Sequence, residues 1–162
     1  MVDYLSCLDK ALVETLKNKS LTITTAESCT GGMVASSIVN ISGASDIFKE
    51  GYITYSNEAK ERILGVKHET LEKYKAVSAE TAAQMAEGAV RISKADISVS
   101  VTGVAGPSRE DDKPVGLVYI GCCYKGETHV KECDLSGDRH TIRGQSTKEA
   151  LKFVLDIIKT NR

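Results

Sequence analysis

The sequence predicts an α/β sandwich of three layers, with helices on both faces of a mixed central sheet. Three observations carry this prediction. Helical and strand periodicities interleave along the chain. Two strand-like segments, at 21–26 and 51–55, pass through a polar turn directly into a helix-like one. Two later strands meet at Lys125-Gly126 as a hairpin, so the sheet is mixed rather than purely parallel. The 162 residues are one domain's worth, enough to bury a core without disulfides or metals.

The elements follow in order. Leu5, Leu8, Leu12 and Leu16 recur at helical spacing, giving an amphipathic helix over about residues 3–18. Leu21 to Ala26 alternates apolar residues with threonine and reads as a strand. Gly31-Gly32 opens a small-residue helical segment to about Asn40, and 41–45 reads as loop. Gly51 to Tyr55 reads as a second strand and Asn57 to Leu64 as a short helix. Ser78 suits a helix N-cap. Ala82, Met85, Ala86 and Ala89 mark one face of the helix that follows, ending near Ser93. Ile97, Val99 and Val101 alternate with Ser98 and Ser100 as a third strand. Gly103 to Pro107 breaks it, and a charged loop runs from Ser108 to Lys113. Val115 to Cys123 and Thr128 to Leu135 are the hairpin strands. Leu151, Val154, Leu155 and Ile158 define the core face of a C-terminal helix.

Composition narrows the function. Lys+Arg number 21 and Asp+Glu 22, a net charge of −1, which supplies no basic field for a phosphate backbone. Aromatics are 5% with no Trp, which disfavours single-strand binding by stacking. Met1 to Tyr4 lacks the basic start of a signal peptide, and no apolar run approaches the ~18 residues of a spanning helix. A soluble cytoplasmic protein without nucleic-acid or membrane partners is the expectation. The five cysteines are odd in number and form no C-x-x-C pair, and the three histidines are scattered. Free, buried or half-buried thiols and no metal site follow.

Four stretches could carry chemistry. Thr24 to Gly32 runs from strand through Glu27-Ser28-Cys29-Thr30 into Gly31-Gly32. A serine at such a junction sits against the positive end of a helix, where backbone N–H groups stabilise developing negative charge. The same residues also make a polar cap with glycines for tight helix packing. Gly51 to Lys60 repeats the pattern and brings Tyr55 and Lys60 beside the first turn if the two strands are neighbours. A lysine in apolar or cationic surroundings loses its proton near neutral pH and acts as a base; most lysines are simply solvated. Thr102 to Pro107 lets a ligand ring lie on a glycine-flanked backbone, or is a plain loop. Arg139 and Arg143, four apart at a helix start, form a phosphate or carboxylate clamp, or pair with Asp138 and Glu149. Strand-end turns and an arginine pair together suggest a polar small-molecule pocket at one sheet edge.

Together these stretches resemble the C-terminal domain of the CinA family. AESCTGG at 26–32 is the most specific part, supported by YSNEAK at 55–60, TGVAGP at 102–107, KPVG at 113–116 and GDR at 137–139. That domain is similar to stand-alone nicotinamide mononucleotide amidohydrolases, and the resemblance runs from about Leu21 to Leu155. It implies hydrolysis of the carboxamide of nicotinamide mononucleotide to nicotinate mononucleotide and ammonia, in pyridine nucleotide recycling, without metal or cofactor. Ser28 would be the nucleophile, Lys60 its base, and Tyr55 would orient the pair. Backbone near Thr30, Gly31 and Gly32 would hold the oxyanion. Gly103, Val104, Ala105 and Gly106 would line the nicotinamide and ribose pocket, and Arg139 and Arg143 would bind the 5′-phosphate. A homodimer is the implied assembly. Longer relatives carry an N-terminal domain resembling molybdopterin-binding proteins; this chain reads as the amidase-like domain alone. It departs from the family after Ala-Gly-Pro, where a glycine-rich continuation is replaced by Ser108-Arg109-Glu110-Asp111-Asp112. A reshaped loop is expected there. It also raises the alternative of a catalytically silent nucleotide-binding or regulatory module.

Overall fold

The strands Ile23–Glu27 (β1), Tyr52–Ile53 (β2), Ile97–Gly103 (β3), Leu117–Tyr124 (β4) and Glu127–Asp134 (β5) form one sheet in the order β2-β1-β3-β4-β5. This is seen in a computed structural model that describes residues 4–161, with side chains from residue 7 onward. β1 is parallel to β2 and β3, whereas β4 is antiparallel to both β3 and β5. The sheet is therefore mixed, as the hairpin requires. Its turn uses Lys125 and Gly126 at φ 54° and 78°, the left-handed pair that matches the twist of two-residue hairpins.

Helices Tyr4–Lys19 (α1), Met33–Val39 (α2) and Arg139–Thr160 (α6) cover one face. Asn57–Leu64 (α3), His68–Tyr74 (α4) and Ala79–Ser93 (α5) cover the other. The predicted start of the first helix at residue 3, and the side chain of Leu5, lie outside the described residues. On the first face Leu12, Leu16, Ile38, Leu151, Val154 and Ile158 close over Ile23, Ile97, Val99, Val101 and Ile120. Each such side chain contributes ~1.5–3 kcal/mol when removed from water.

The second face is built on close approach. Ser98 and Ser100, which alternation alone suggests are solvent-facing, are fully buried and donate to the carbonyls of Ala86 and Ala82 on α5, both at 2.6 Å. Thr102 donates to the Ala76 carbonyl at 2.8 Å. The small residues are what permit this: a Cβ on Gly121 would lie 2.5 Å from the Ala82 oxygen. β3 is thus buried on both faces.

The structure departs from the sequence reading in three places. β2 is two residues long rather than five, because Thr54 and Tyr55 turn their carbonyls toward Lys60 instead of a neighbouring strand. α4 is an unanticipated helix, one short turn pair whose only buried residues are Thr70 and Leu71, too few for a visible stripe. All five cysteines are free, but Cys7 is exposed while the other four are buried.

Candidate active site

The parallel strands place three chain turns at one edge of the sheet. β1 lies between β2 and β3, so the residues after Glu27, Ile53 and Gly103 emerge side by side. Two main-chain bonds continue the ladder past the strand ends. The Ser28 N–H donates to the Val101 carbonyl at 2.9 Å, and the Thr54 N–H donates to the Glu27 carbonyl at 2.9 Å. Ser28 and Thr54 are therefore held in register by the sheet itself.

Lys60 completes the arrangement. Ser56 caps α3 by accepting from the Ala59 N–H at 3.1 Å, which sets the helix so that Lys60 points inward. The Lys60 side chain is 1% exposed. Its Nζ donates to Ser28 Oγ at 3.0 Å, to the Thr54 carbonyl at 2.8 Å, and more weakly to the Tyr55 carbonyl at 3.5 Å. Burial pushes the amine down from 10.5 to about 8, although the negative charges of Glu110 and Glu58 oppose the fall. In the neutral amine two N–H groups serve the two carbonyls, and the lone pair is left for the Ser28 hydroxyl proton. That is the geometry of an activated nucleophile.

Ser28 opens into a cleft of about 430 Å³, lined also by Cys29, Tyr55, Gly103, Val104, Ala105, Gly106, Ser108, Glu110 and Arg139. Arg139 stands at its rim, donating from Nη1 to the Gly106 carbonyl at 2.6 Å and from Nη2 to the Tyr55 hydroxyl at 2.9 Å. The phenol of Tyr55 is 61% exposed, so it belongs to the rim. Only its carbonyl approaches the Ser28–Lys60 pair. Val104 gives its N–H to the Leu117 carbonyl, whereas the amides of Ala105 and Gly106 take no acceptor among the described residues. A separate depression of about 370 Å³ lies at the opposite end of β1, around Thr22, Lys49 and Lys94. Its Ser93 hydroxyl is spent on the Ala89 carbonyl, so no nucleophile–base pair forms there.

Four of the sequence-selected residues take places other than those expected. Thr30, Gly31 and Gly32 build the turn and are not walls of the cleft. The Gly31 N–H is committed to the Ser28 carbonyl at 3.1 Å, and Gly31 and Gly32 sit at φ 56° and 103°, where only glycine is unstrained. The helix end beyond them is already occupied. Glu27, fully buried, accepts from the N–H groups of Val34 and Ala35 at 2.8 and 3.1 Å, so the first turn of α2 faces a carboxylate instead of a ligand. Arg143 does not reach the cleft either. Its Nε and Nη2 donate to the carbonyls of Cys29 and Thr30, both at 3.0 Å, which ties the Ser28 turn to α6.

Sequence reasoning missed Thr54, Glu27 and Glu110. Thr54 acts through its carbonyl, which no side-chain pattern reveals. Glu27 sits inside the quoted motif, and its spacing to the α2 start is the signal that identifies it as a cap. Cys29, next to Ser28, is buried, and burial pushes its thiol up to about 12, which leaves it without a usable thiolate. Among the described residues no group of three or more His, Cys, Asp or Glu is placed to hold a metal ion, and no helix is long and apolar enough to cross a membrane.

Fold and site define an α/β sandwich protein with a buried serine–lysine pair at the carboxyl edge of its parallel strands. Comparison with known proteins gives the family. The CinA C-terminal domain matches residues 6–158, and the chain belongs to the CinA family. A CinA-like protein of Kosmotoga olearia is 53% identical over 148 residues, which are 91% of this chain and 36% of that relative. The chain thus spans about a third of such a relative's length. Among solved structures, a CinA superfamily protein of Escherichia coli is similar at TM-score 0.92 and 35% identity, over 97% of this chain and 93% of that one. A competence/damage inducible protein of Agrobacterium tumefaciens is similar at TM-score 0.91 and 37% identity, over 94% of each chain.

Proposed function

We propose that this chain hydrolyses the carboxamide of nicotinamide mononucleotide, releasing ammonia and nicotinate mononucleotide, as a step in pyridine nucleotide recycling in the cytoplasm. The observation that carries this reading is the 3.0 Å contact between the buried Lys60 Nζ and Ser28 Oγ. Neutral Lys60 takes the Ser28 proton as Oγ attacks the amide carbon. The C–N bond then breaks, and the proton on Lys60 leaves with the nitrogen as ammonia. Water, deprotonated by the same amine, opens the resulting ester and returns Ser28. The amides of Cys29, Ala105 and Gly106, which line the cleft and take no acceptor among the described residues, are donors available to the oxyanion. Arg139, steadied by Tyr55, is the cation available to the phosphate. No cofactor is needed for these steps, and a homodimer acting on this small molecule is the assembly we propose.

The test is ammonia release from nicotinamide mononucleotide by the wild type and by Ser28→Ala. Turnover that falls at least ~10³-fold in the variant supports the reading, since nucleophile removal costs that order or more. Robust turnover in the variant would sink it. A second reading is favoured by Glu110, an acidic residue where the family is glycine-rich: a nucleotide-binding regulatory module without turnover. Calorimetry that shows mononucleotide binding with no ammonia release would select that reading.

A further inference from the structure

The cleft's charges do not suit a simple anion. Arg139 stands at its rim and Lys60 lies behind Ser28, yet Glu110, within the stretch that departs from the family pattern, also lines it. It is the one carboxylate that lines the cleft among the described residues. Its main chain is held in a hairpin. The Lys113 N–H donates to the Glu110 carbonyl at 2.7 Å, and the Glu110 N–H returns to the Lys113 carbonyl at 3.4 Å. Between them Asp111 and Asp112 take φ 48° and 60°, a tight hairpin that Arg109 closes by donating to the Asp112 carbonyl. The stem packs back on the site, since a Cβ on Gly106 would meet Val115 at 2.8 Å. Among the charges that oppose the fall of the Lys60 amine, that of Glu110 is the largest.

We propose that Glu110 is a specificity-determining residue that selects a ligand with a positively charged ring at Ser28 and an anionic group at Arg139. The proposal rests on the reading above and sharpens it. Nicotinamide mononucleotide is such a molecule: its pyridinium ring is cationic and its phosphate anionic. A carboxylate beside the ring favours the cation and disfavours an uncharged ring of the same shape. It also opposes the product, in which the amide has become a second anion, and so aids release. Arg139 alone cannot make either distinction, because both ligands carry the same phosphate.

The experiment measures calorimetric binding of oxidised nicotinamide mononucleotide and of its reduced, 1,4-dihydropyridine form, whose ring is neutral. Turnover is stopped with Ser28→Ala, and Glu110→Gln and Glu110→Asp are added to that background. The expected result is that Glu110→Gln weakens the oxidised form about fivefold and leaves the reduced form within about twofold. Glu110→Asp, which keeps the charge, recovers part of the preference. Equal weakening of both ligands, or of neither, would overturn the role of Glu110 while leaving the substrate reading intact. A background protein that binds neither mononucleotide overturns the substrate reading and this proposal with it. Circular dichroism and thermal melting of each variant check folding, so that equal weakening is read only on folded protein.

Discussion

Replacing Lys60 by Met should change how stability depends on pH, and the size of the change follows from the structure. The amine titrates at about 8 in the folded protein against 10.5 in a solvated lysine. A lowered folded value means the unfolded chain binds more protons between these two pH values, so stability rises with pH across that window. The stabilisation is fully present above about 10.5 and is lost as pH falls through 8. Integrating between pH 7 and pH 9 gives the wild type about 1.3 kcal/mol that a Lys60→Met protein cannot gain. The assay is urea unfolding of both proteins at the two pH values. Comparing the two slopes cancels every other titrating group they share. Parallel stability profiles would refute the claim that burial has depressed this amine.

Three further outcomes follow from local geometry. Gly88→Ala should destabilise by about 3 kcal/mol, seen as a melting temperature roughly 6–12 °C lower, because the added Cβ would lie 2.0 Å from the Leu64 carbonyl oxygen. Helix propensity alone predicts the opposite sign, so an unchanged or raised melting temperature would contradict the close α3–α5 contact. Arg143→Ala should lower kcat far more than it raises KM, and cost about 1–3 kcal/mol in urea unfolding, because it releases the Cys29 and Thr30 carbonyls. A rise in KM alone would return Arg143 to the phosphate. Iodoacetamide at pH 8, read by mass spectrometry, should label Cys7 and spare Cys29, whose thiol is buried and pushed up to about 12. Rapid labelling of Cys29 would contradict its protonated, enclosed setting.

The layers and the mixed sheet were legible because the apolar periodicities are long and the hairpin carries Lys125-Gly126. What escaped was short or satisfied by main chain. α4 has too few core residues to leave a stripe, and β2 gives up its outer residues to the lysine. The serine–lysine pair was nameable from the motifs, but its activation was not. That depends on two carbonyls and on burial, both consequences of tertiary packing. The arginine pair shows the same limit. Arg139 and Arg143 share a helix face in sequence, yet one meets the rim of the cleft and the other the back of the turn. Spacing on α6 fixes their separation and says nothing of what the sheet edge places opposite each.

In the proposed reaction Lys60, neutral within the buried pair, deprotonates Ser28. The pH dependence of kcat/KM for ammonia release from nicotinamide mononucleotide tests it most directly. The rate should climb with pH through a midpoint near 8, the value at which Lys60 loses its proton, and level off above it. A rate that is flat from pH 6 to 9, or that falls as pH rises through 8, would contradict it.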